Sequence, residues 1–305
     1  MSLLVVGSVA LDSVETPFGK ADNVLGGSAN FFAASASHLA PVKVVGIVGS
    51  DYPVDELKKT FANRPVDLSG IEHADGASFR WRGRYRHDLN VAETLETHLG
   101  VFSNFAPKIP DSFRKTPYVF LGNIDPRLQL DVLKQVEKPK LVVCDTMNFW
   151  IESRRPDLIA LLSHVDAITL NDAEARQLTE NNNLVKAARW IMAKGPKFVI
   201  IKKGENGALM FTKNAVFLAP AYPLEEVFDP TGAGDSFAGG FMGYLAKSGD
   251  LSEASLRRAV IYGSVMGSFA VEEFSVKRLL TVTAKEIAAR LDEFRKLVAF
   301  EDIPA

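Results

Sequence analysis

Five short apolar runs limit the fold of this chain more than any other feature. Leu3–Val6 ends on Gly7-Ser8, residues 117–121 on Gly122, and residues 141–144 on Asp145. Residues 165–170 end on Asn171-Asp172, and residues 198–202 on Lys203-Gly204. Runs of this length with few polar interruptions mark strands covered on both faces. A helical stretch at 127–137 separates the second from the third, so the rhythm is βαβ, with a parallel sheet and right-handed crossovers. The expected fold class is α/β, a doubly wound, mainly parallel sheet. A length of 305 residues suits one large domain of this type, so residues 1–305 are expected to form a single unit. In such sheets ligands bind beyond the carboxyl ends of the strands. Asp12, Asn123, Asp125, Asp145 and Asn148 all follow strand ends and would line that edge.

Composition excludes several classes of partner. Net charge is −2, from 35 Lys and Arg against 37 Asp and Glu, so no global field favours nucleic acid or a membrane surface. No apolar run approaches the roughly 20 residues of a membrane span. The start, Met1-Ser-Leu-Leu-Val-Val, lacks the basic residues and long apolar core of a signal peptide. A soluble cytoplasmic protein is expected. Cys144, the one cysteine, lies in an apolar run and is expected to be a buried core residue. Gly46-x-x-Gly49 is a fragment of a dinucleotide fingerprint without the full spacing or a following helix, which argues against a dehydrogenase.

The chemistry concentrates in Asp229-Pro-Thr-Gly-Ala-Gly-Asp-Ser-Phe237. A strand-like run at 214–219 precedes it, and residues 236–247 read as an apolar helix. A Gly-rich turn feeding a helix leaves the amides of Gly232, Ala233 and Gly234 without helical acceptors. With the helix dipole they make an anion site. A carboxylate there, Asp235, is either an ordinary first-turn acid or a base that takes a proton from an attacking hydroxyl.

Three further stretches carry candidates. Gly26-Gly27-Ser28-Ala29-Asn30 opens a helix running to about Leu39, with Ser28 as expected N-cap and Asn30 offering a donor and an acceptor to a polyol. Asp12, just past the first strand, is either a turn residue or a ligand for substrate hydroxyls. Asn171 and Glu174 share a helix face; they form a capping box or present oxygens toward Mg²⁺. Lys203-Gly204-Glu205-Asn206-Gly207 is a turn into a hairpin strand at 208–212. Helices are expected at 252–269 and 283–298, the second with Ile287, Leu291, Phe294 and Leu297 inward.

The central motif closely resembles the C-terminal signature of the ribokinase-like (PfkB) family of sugar and nucleoside kinases. Gly26-Gly27-x-x-Asn30 resembles the family's N-terminal signature, and residues 45–51 and Asn171-x-x-Glu174 resemble further family pieces, in the family's order. The resemblance implies a ribokinase-like fold and ATP-dependent phosphorylation of a hydroxyl, a primary alcohol, on a sugar or sugar-like substrate. It implies Asp235 as base, Gly232, Ala233 and Gly234 as anion hole, and Asp12, Gly26, Gly27 and Asn30 as substrate ligands. Lys203, Gly204, Thr231, Gly232 and Gly234 would border ATP. Asn171 and Glu174 would order Mg²⁺ through water, and Asp229, with the loop at 270–275, a monovalent cation such as K⁺. A nucleoside kinase of the same family, or a non-catalytic sugar or nucleotide sensor on the same fold, fits the same motifs. Asp145-Thr-Met-Asn148 lacks the Arg that many sugar kinases of the family carry just beyond this Asp, so substrate identity does not transfer directly.

Residues 78–86 alternate with period two: Phe79, Trp81 and Tyr85 share one face, and Arg80, Arg82, Arg84 and Arg86 the other. The resemblance implies a small β-sheet lid here, drawn from residues 12–22 and 67–105, and a homodimer contact through it. The arginine row has three readings: a solvated face paired with Asp88, Glu93 and Glu96, a dimer interface, or a site for an anionic substrate.

Overall fold

Leu3, Leu4, Val5 and Val6 are all fully buried, and this run is β1 (Leu3–Val6) of a nine-stranded sheet. The structure, a computed structural model, describes residues 1–299 and 301. After β1 come β2 (Ala10–Thr16), β3 (Gly19–Gly26), α1 (Ser28–Ala36), β4 (Val42–Gly49), α2 (Val54–Phe61) and β5 (Val66–Ala74). Next are β6 (Arg80–Tyr85), β7 (Ala92–His98), β8 (Tyr118–Leu121), α3 (Pro126–Leu133), β9 (Leu141–Asp145), α4 (Asn148–Ser153) and α5 (Arg155–Leu162). They are followed by β10 (Ala167–Asn171), α6 (Asp172–Thr179), α7 (Leu184–Met192), β11 (Phe198–Lys202), β12 (Ala208–Thr212) and β13 (Val216–Ala219). Four helices close the described chain: α8 (Ala233–Ser248), α9 (Glu253–Ala270), α10 (Lys277–Thr281) and α11 (Ala284–Val298).

The large sheet has the order β13-β12-β11-β10-β9-β8-β1-β4-β5, and every pair from β11 to β5 is parallel. From β1 the chain builds outward through β4 and β5, then returns to lay β8 to β11 on the other side. That reversal sets a crevice at the carboxyl ends of β1 and β8, the place where such sheets bind ligands. Alternate strand residues face opposite layers. Leu3, Val5, Val143, Ala167 and Ile200 pack with α1, α8 and α9; Leu4, Val6, Val142, Ile168 and Val199 pack with α5, α6 and α7. Phe32 of α1, fully buried, stacks on Phe120 of β8 with ring centroids 4.5 Å apart. Phe32→Ala is expected to cost about 3–5 kcal/mol, from lost burial and the cavity left behind. Urea unfolding checks this: the midpoint should fall with the slope unchanged.

A second sheet, in the order β3-β2-β6-β7, stands apart from the first. It reaches the loop before α8 through two bonds. Thr16 Oγ1 donates to the Phe228 carbonyl at 2.8 Å, and the Thr231 hydroxyl meets that of Tyr85 at 3.3 Å. One segment expected in this lid lies elsewhere: β5 pairs with β4 at the edge of the large sheet. An edge strand has one open side, so its half-exposed pattern resembles that of a two-faced lid strand.

All four arginines meet carboxylates: Arg80 with Asp51 (2.7 Å), Arg82 with Glu96 (3.9 Å), Arg84 with Glu15 (3.0 Å) and Arg86 with Glu93 (3.0 Å). The carboxylate pairing of the first reading is therefore present, with Asp51 and Glu15 in place of the expected Asp88. The Asp88 carboxylate instead accepts from the Asn90 amide in its own turn. Cys144 is buried and free, as its setting implied. Leu297, expected inward, is 46% exposed, because the last turn of α11 runs past the core that buries Ile287 and Phe294. Among the described residues no helix is long and apolar enough to cross a membrane.

Candidate active site

The loop from 228 to 232 is fixed before α8 begins. Phe228 and Asp229 donate their amides to the Val271 carbonyl, at 2.8 and 3.3 Å. The buried Asp229 carboxylate accepts from the Thr231 amide (2.9 Å) and the Ser275 amide (3.2 Å). Gly232 then takes a left-handed conformation (φ 72°, ψ 3°), and α8 starts at Ala233. A Cβ on Gly232 would overlap the Phe31 ring of α1, so both backbone and space demand glycine here. One of the three expected anion-hole amides is already engaged: Ala233 N–H donates to the Pro230 carbonyl at 3.2 Å. The turn that creates the helix start uses it. Among the described residues the amides of Gly232 and Gly234 have no carbonyl acceptor.

At the other side of the crevice, Gly26 lets Asp12 in. A Cβ on Gly26 would overlap the Asp12 carboxylate, which accepts from the Gly27 amide at 3.3 Å. Asn30 Nδ2 donates to the Gly26 carbonyl (2.8 Å) and to the Tyr52 hydroxyl (3.1 Å). Asn30 Oδ1 is buried and has no partner. A buried acceptor without a donor costs free energy comparable to a lost hydrogen bond, so a ligand hydroxyl or N–H fits this position. Tyr52 is a site neighbour that the sequence did not single out. Ser28, expected as the N-cap of α1, is its first helical residue; Gly27 holds the cap position and supplies no side-chain bond. Ser28 Oγ instead accepts from the Ser8 amide at 3.1 Å, while the Ser28 amide donates to Ser8 Oγ at 3.0 Å, clamping α1 to the end of β1.

Asn171 and Glu174 form a reciprocal capping box: Asn171 Oδ1 accepts from the Glu174 amide (2.8 Å), and Glu174 Oε2 from the Asn171 amide (2.7 Å). Among the described residues the other Glu174 oxygen has no hydrogen-bond partner. Lys203 donates its amide to the Gly207 carbonyl at 2.7 Å, and Gly204 turns left-handed beside Asn90 of the small-sheet loop. Asp125 is spent on structure: it caps α3 and pairs with Arg127 (2.6 Å) and Arg154 (3.7 Å). Asn123 accepts from Trp150 Nε1 at 2.9 Å, and Asn148 is exposed.

The sequence marked Asp145 at this edge but not the polar group that it joins beneath α8. Lys202 Nζ lies 3.0 Å from Asp145 Oδ2, which also accepts from Thr169 Oγ1 at 2.9 Å. For Lys202 the cue was a lysine closing an apolar strand.

These acids share one electrostatic environment. Burial pushes the Asp235 carboxyl up to about 7; the charge of Asp145 adds to this and Lys202 opposes it. Burial likewise raises Asp12 to about 7, against the Gly27 amide and with help from Asp229 and Asp235. Glu174 also rises to about 7 through burial, with Lys202 opposing. Burial works against the Lys202 ammonium, but Asp145, Glu174 and Asp235 outweigh it and hold its pKa above the ordinary value. A half-buried carboxylate poised near neutrality beside free helix-start amides can accept a proton while those amides stabilise an anion.

The profile of the pfkB family carbohydrate kinases matches residues 3–281. The chain is 30% identical over 259 residues to the cytidine kinase of Thermococcus kodakarensis, covering 83% of this chain and 91% of that one. It is 26% identical over 271 residues to the nucleoside kinase of Methanocaldococcus jannaschii, covering 86% and 85%. The solved aminoimidazole riboside kinase from Salmonella enterica, complexed with aminoimidazole riboside and an ATP analog, superposes with a TM-score of 0.77 at 21% identity, covering 95% of this chain and 100% of that one. With a family match over nearly its whole length and a ribokinase-type sheet, this chain belongs to the pfkB family of carbohydrate kinases and is an ATP-dependent phosphotransferase.

Proposed function

We propose that this kinase transfers the terminal phosphoryl group of ATP to a hydroxyl of a sugar, or of the sugar moiety of a nucleoside, with Asp235 as general base. The observation that carries the reading is the shared crevice: the start of α8, with Asp235 and its free amides, rests through Gly232 on Phe31 of α1, the helix that opens beside Asp12, Gly26 and Gly27. Asp12 and the unpartnered Asn30 Oδ1 accept from substrate hydroxyls, beside the closely approachable backbone of Gly26 and Gly27. The free amides of Gly232 and Gly234 receive the phosphoryl group; Ala233 contributes through the helix dipole. Lys203, Gly204 and Thr231 border the nucleotide. The alcohol oxygen bonds to phosphorus, the bond to the leaving diphosphate breaks, and the alcohol proton passes to Asp235.

The protein donors suit Mg²⁺ held mainly by phosphate and water. Among the described residues no cluster of three or more acids, histidines or cysteines forms a cage, and Glu174 keeps one oxygen free beside Asn171. Bound there, the ion would offset phosphate charge. Asp229 and the loop it pins to Val271 and Ser275 would hold a monovalent cation such as K⁺.

The similarity to the cytidine kinase favours nucleosides as the acceptor class to test first. The test is ADP release by the purified protein with ATP, Mg²⁺ and a panel of pentoses, hexoses, sugar phosphates, sugar acids and nucleosides. At least one polyol or nucleoside is expected to raise ADP release well above the acceptor-free rate. A flat response across the panel would overturn the reading.

A further inference from the structure

Lys202 occupies a position that a simple structural ion pair does not account for. Asp145, Thr169 and Lys202 lie on the α8 side of three adjacent parallel strands, at their carboxyl ends, with Thr169 opposite Asp145 and Asn171 opposite Lys202. The side chain of Asp145 is only 6% exposed and that of Lys202 18%. Both oxygens of the Asp145 carboxylate are engaged: Oδ1 accepts from the Thr146 amide at 2.7 Å, and Oδ2 from Thr169 and Lys202. The ammonium has donors to spare. It has three donors, and among the described residues Asp145 is its one hydrogen-bond acceptor.

The open side of Lys202 faces the helix start. Its Nζ lies 2.8 Å from where a Cβ on Gly234 would sit, so the ammonium rests against the residue whose amide is free. It is also the cation set among Asp145, Glu174 and Asp235, three acids around one positive charge. An incoming triphosphate adds further negative charge to that environment. Isolated buried charges are costly, and a preorganised cation beside the transferred group is among the strongest ways to lower the barrier.

We propose that Lys202 is a catalytic residue of phosphoryl transfer: anchored by Asp145, its ammonium donates to the non-bridging oxygens of the phosphoryl group lodged at Gly234. Lys202 stays protonated throughout. The phosphorus–oxygen bond to the acceptor forms, that to the leaving diphosphate breaks, and the proton goes to Asp235. The role rests on the kinase reading above.

Two variants and one control test it. Lys202→Met keeps the stem and removes the charge; kcat is expected to fall about 10²–10³-fold, the loss seen when one transition-state donor is removed, with the acceptor KM changed only a few-fold. Because that variant leaves Asp145 unpaired, the double variant Lys202→Met with Asp145→Asn removes both charges. Its melting temperature is expected to recover toward wild type while kcat stays low. If the double variant, or Lys202→Met alone, turns over at the wild-type rate, Lys202 is only the partner of Asp145 and the proposal is overturned. Wild-type protein assayed in parallel separates the two readings. A wild type silent on every acceptor defeats the kinase reading and this role with it; an active wild type matched by Lys202→Met defeats this role alone.

Discussion

Asp235→Asn is expected to lower turnover about 10²–10⁴-fold while ATP affinity stays within a few-fold of wild type. The amide keeps the size of the carboxylate and leaves α8 and its free amides in place. What it removes is the capacity to accept a proton from the attacking hydroxyl. Steady-state kinetics and nucleotide titration on the same preparation check the claim, and full turnover by the variant would refute the base assignment.

The pH profile gives a second, independent readout. A base must be ionised to act, and burial has pushed Asp235 up to about 7. Wild-type kcat/KM is therefore expected to rise with pH up to about neutrality and then level. Asp12 and Glu174 are raised to the same region, so the acid limb reports the group of acids together. Stability should run the opposite way. A carboxyl whose folded-state pKa exceeds its unfolded value binds its proton more tightly when folded. Its favourable contribution is complete below the unfolded pKa of about 4 and is lost as pH rises through about 7. The wild-type melting temperature should fall between pH 5 and 8, and Asp235→Asn should flatten part of that fall. The base then costs the fold some stability at the pH where it works.

The sequence exposed the sheet because strands buried on both faces leave uninterrupted apolar runs; β1, β8, β9, β10 and β11 all lie where those runs predicted. It offered Asn30 and Asp235 as candidates because each belongs to a compact local motif, and Asp12 because it follows a strand end; the family resemblance supplied the roles expected of them. Three features escaped for physical reasons. β5 carries the mixed pattern of an edge strand, which a lid strand shares, so pattern alone could not assign it to a sheet. Ser28 has the chemistry of an N-cap, but Gly27 adopts φ 90° and Ser8 claims the hydroxyl, a tertiary contact 20 residues away. The bonds from Thr169 and Lys202 to Asp145 span 24 and 57 residues and exist only once three strands are in register. Candidates from one turn of chain could be picked out locally; of the group assembled across strands, Asp145 was picked out but its partners Thr169 and Lys202 were not.

Gly232→Ala is expected to damage stability and catalysis together. The left-handed conformation of Gly232 costs a Cβ-bearing residue about 1–2 kcal/mol. The new methyl would also overlap the ring of Phe31 of α1, which is 2% exposed. Overpacking of this kind costs a further 1–3 kcal/mol or so. Relief requires the Gly232 peptide to rotate or α8 to shift, and either movement turns the free amides of Gly232 and Gly234 away from the phosphoryl position. Misplacement by about 1 Å at such a site can lower kcat/KM by about 10². Gly267→Ala supplies the contrast within the same helix pair. Its Cβ would meet the Ala233 carbonyl at an ordinary 3.4 Å, and the residue lies in the body of α9. An alanine there should be neutral or stabilise by up to about 1 kcal/mol, since glycine weakens a helix interior. Thermal melts and kinetics on the two variants should therefore diverge. A Gly232→Ala protein with wild-type melting and wild-type kcat/KM would show that neither the left-handed turn nor the amide geometry it sets is needed for transfer.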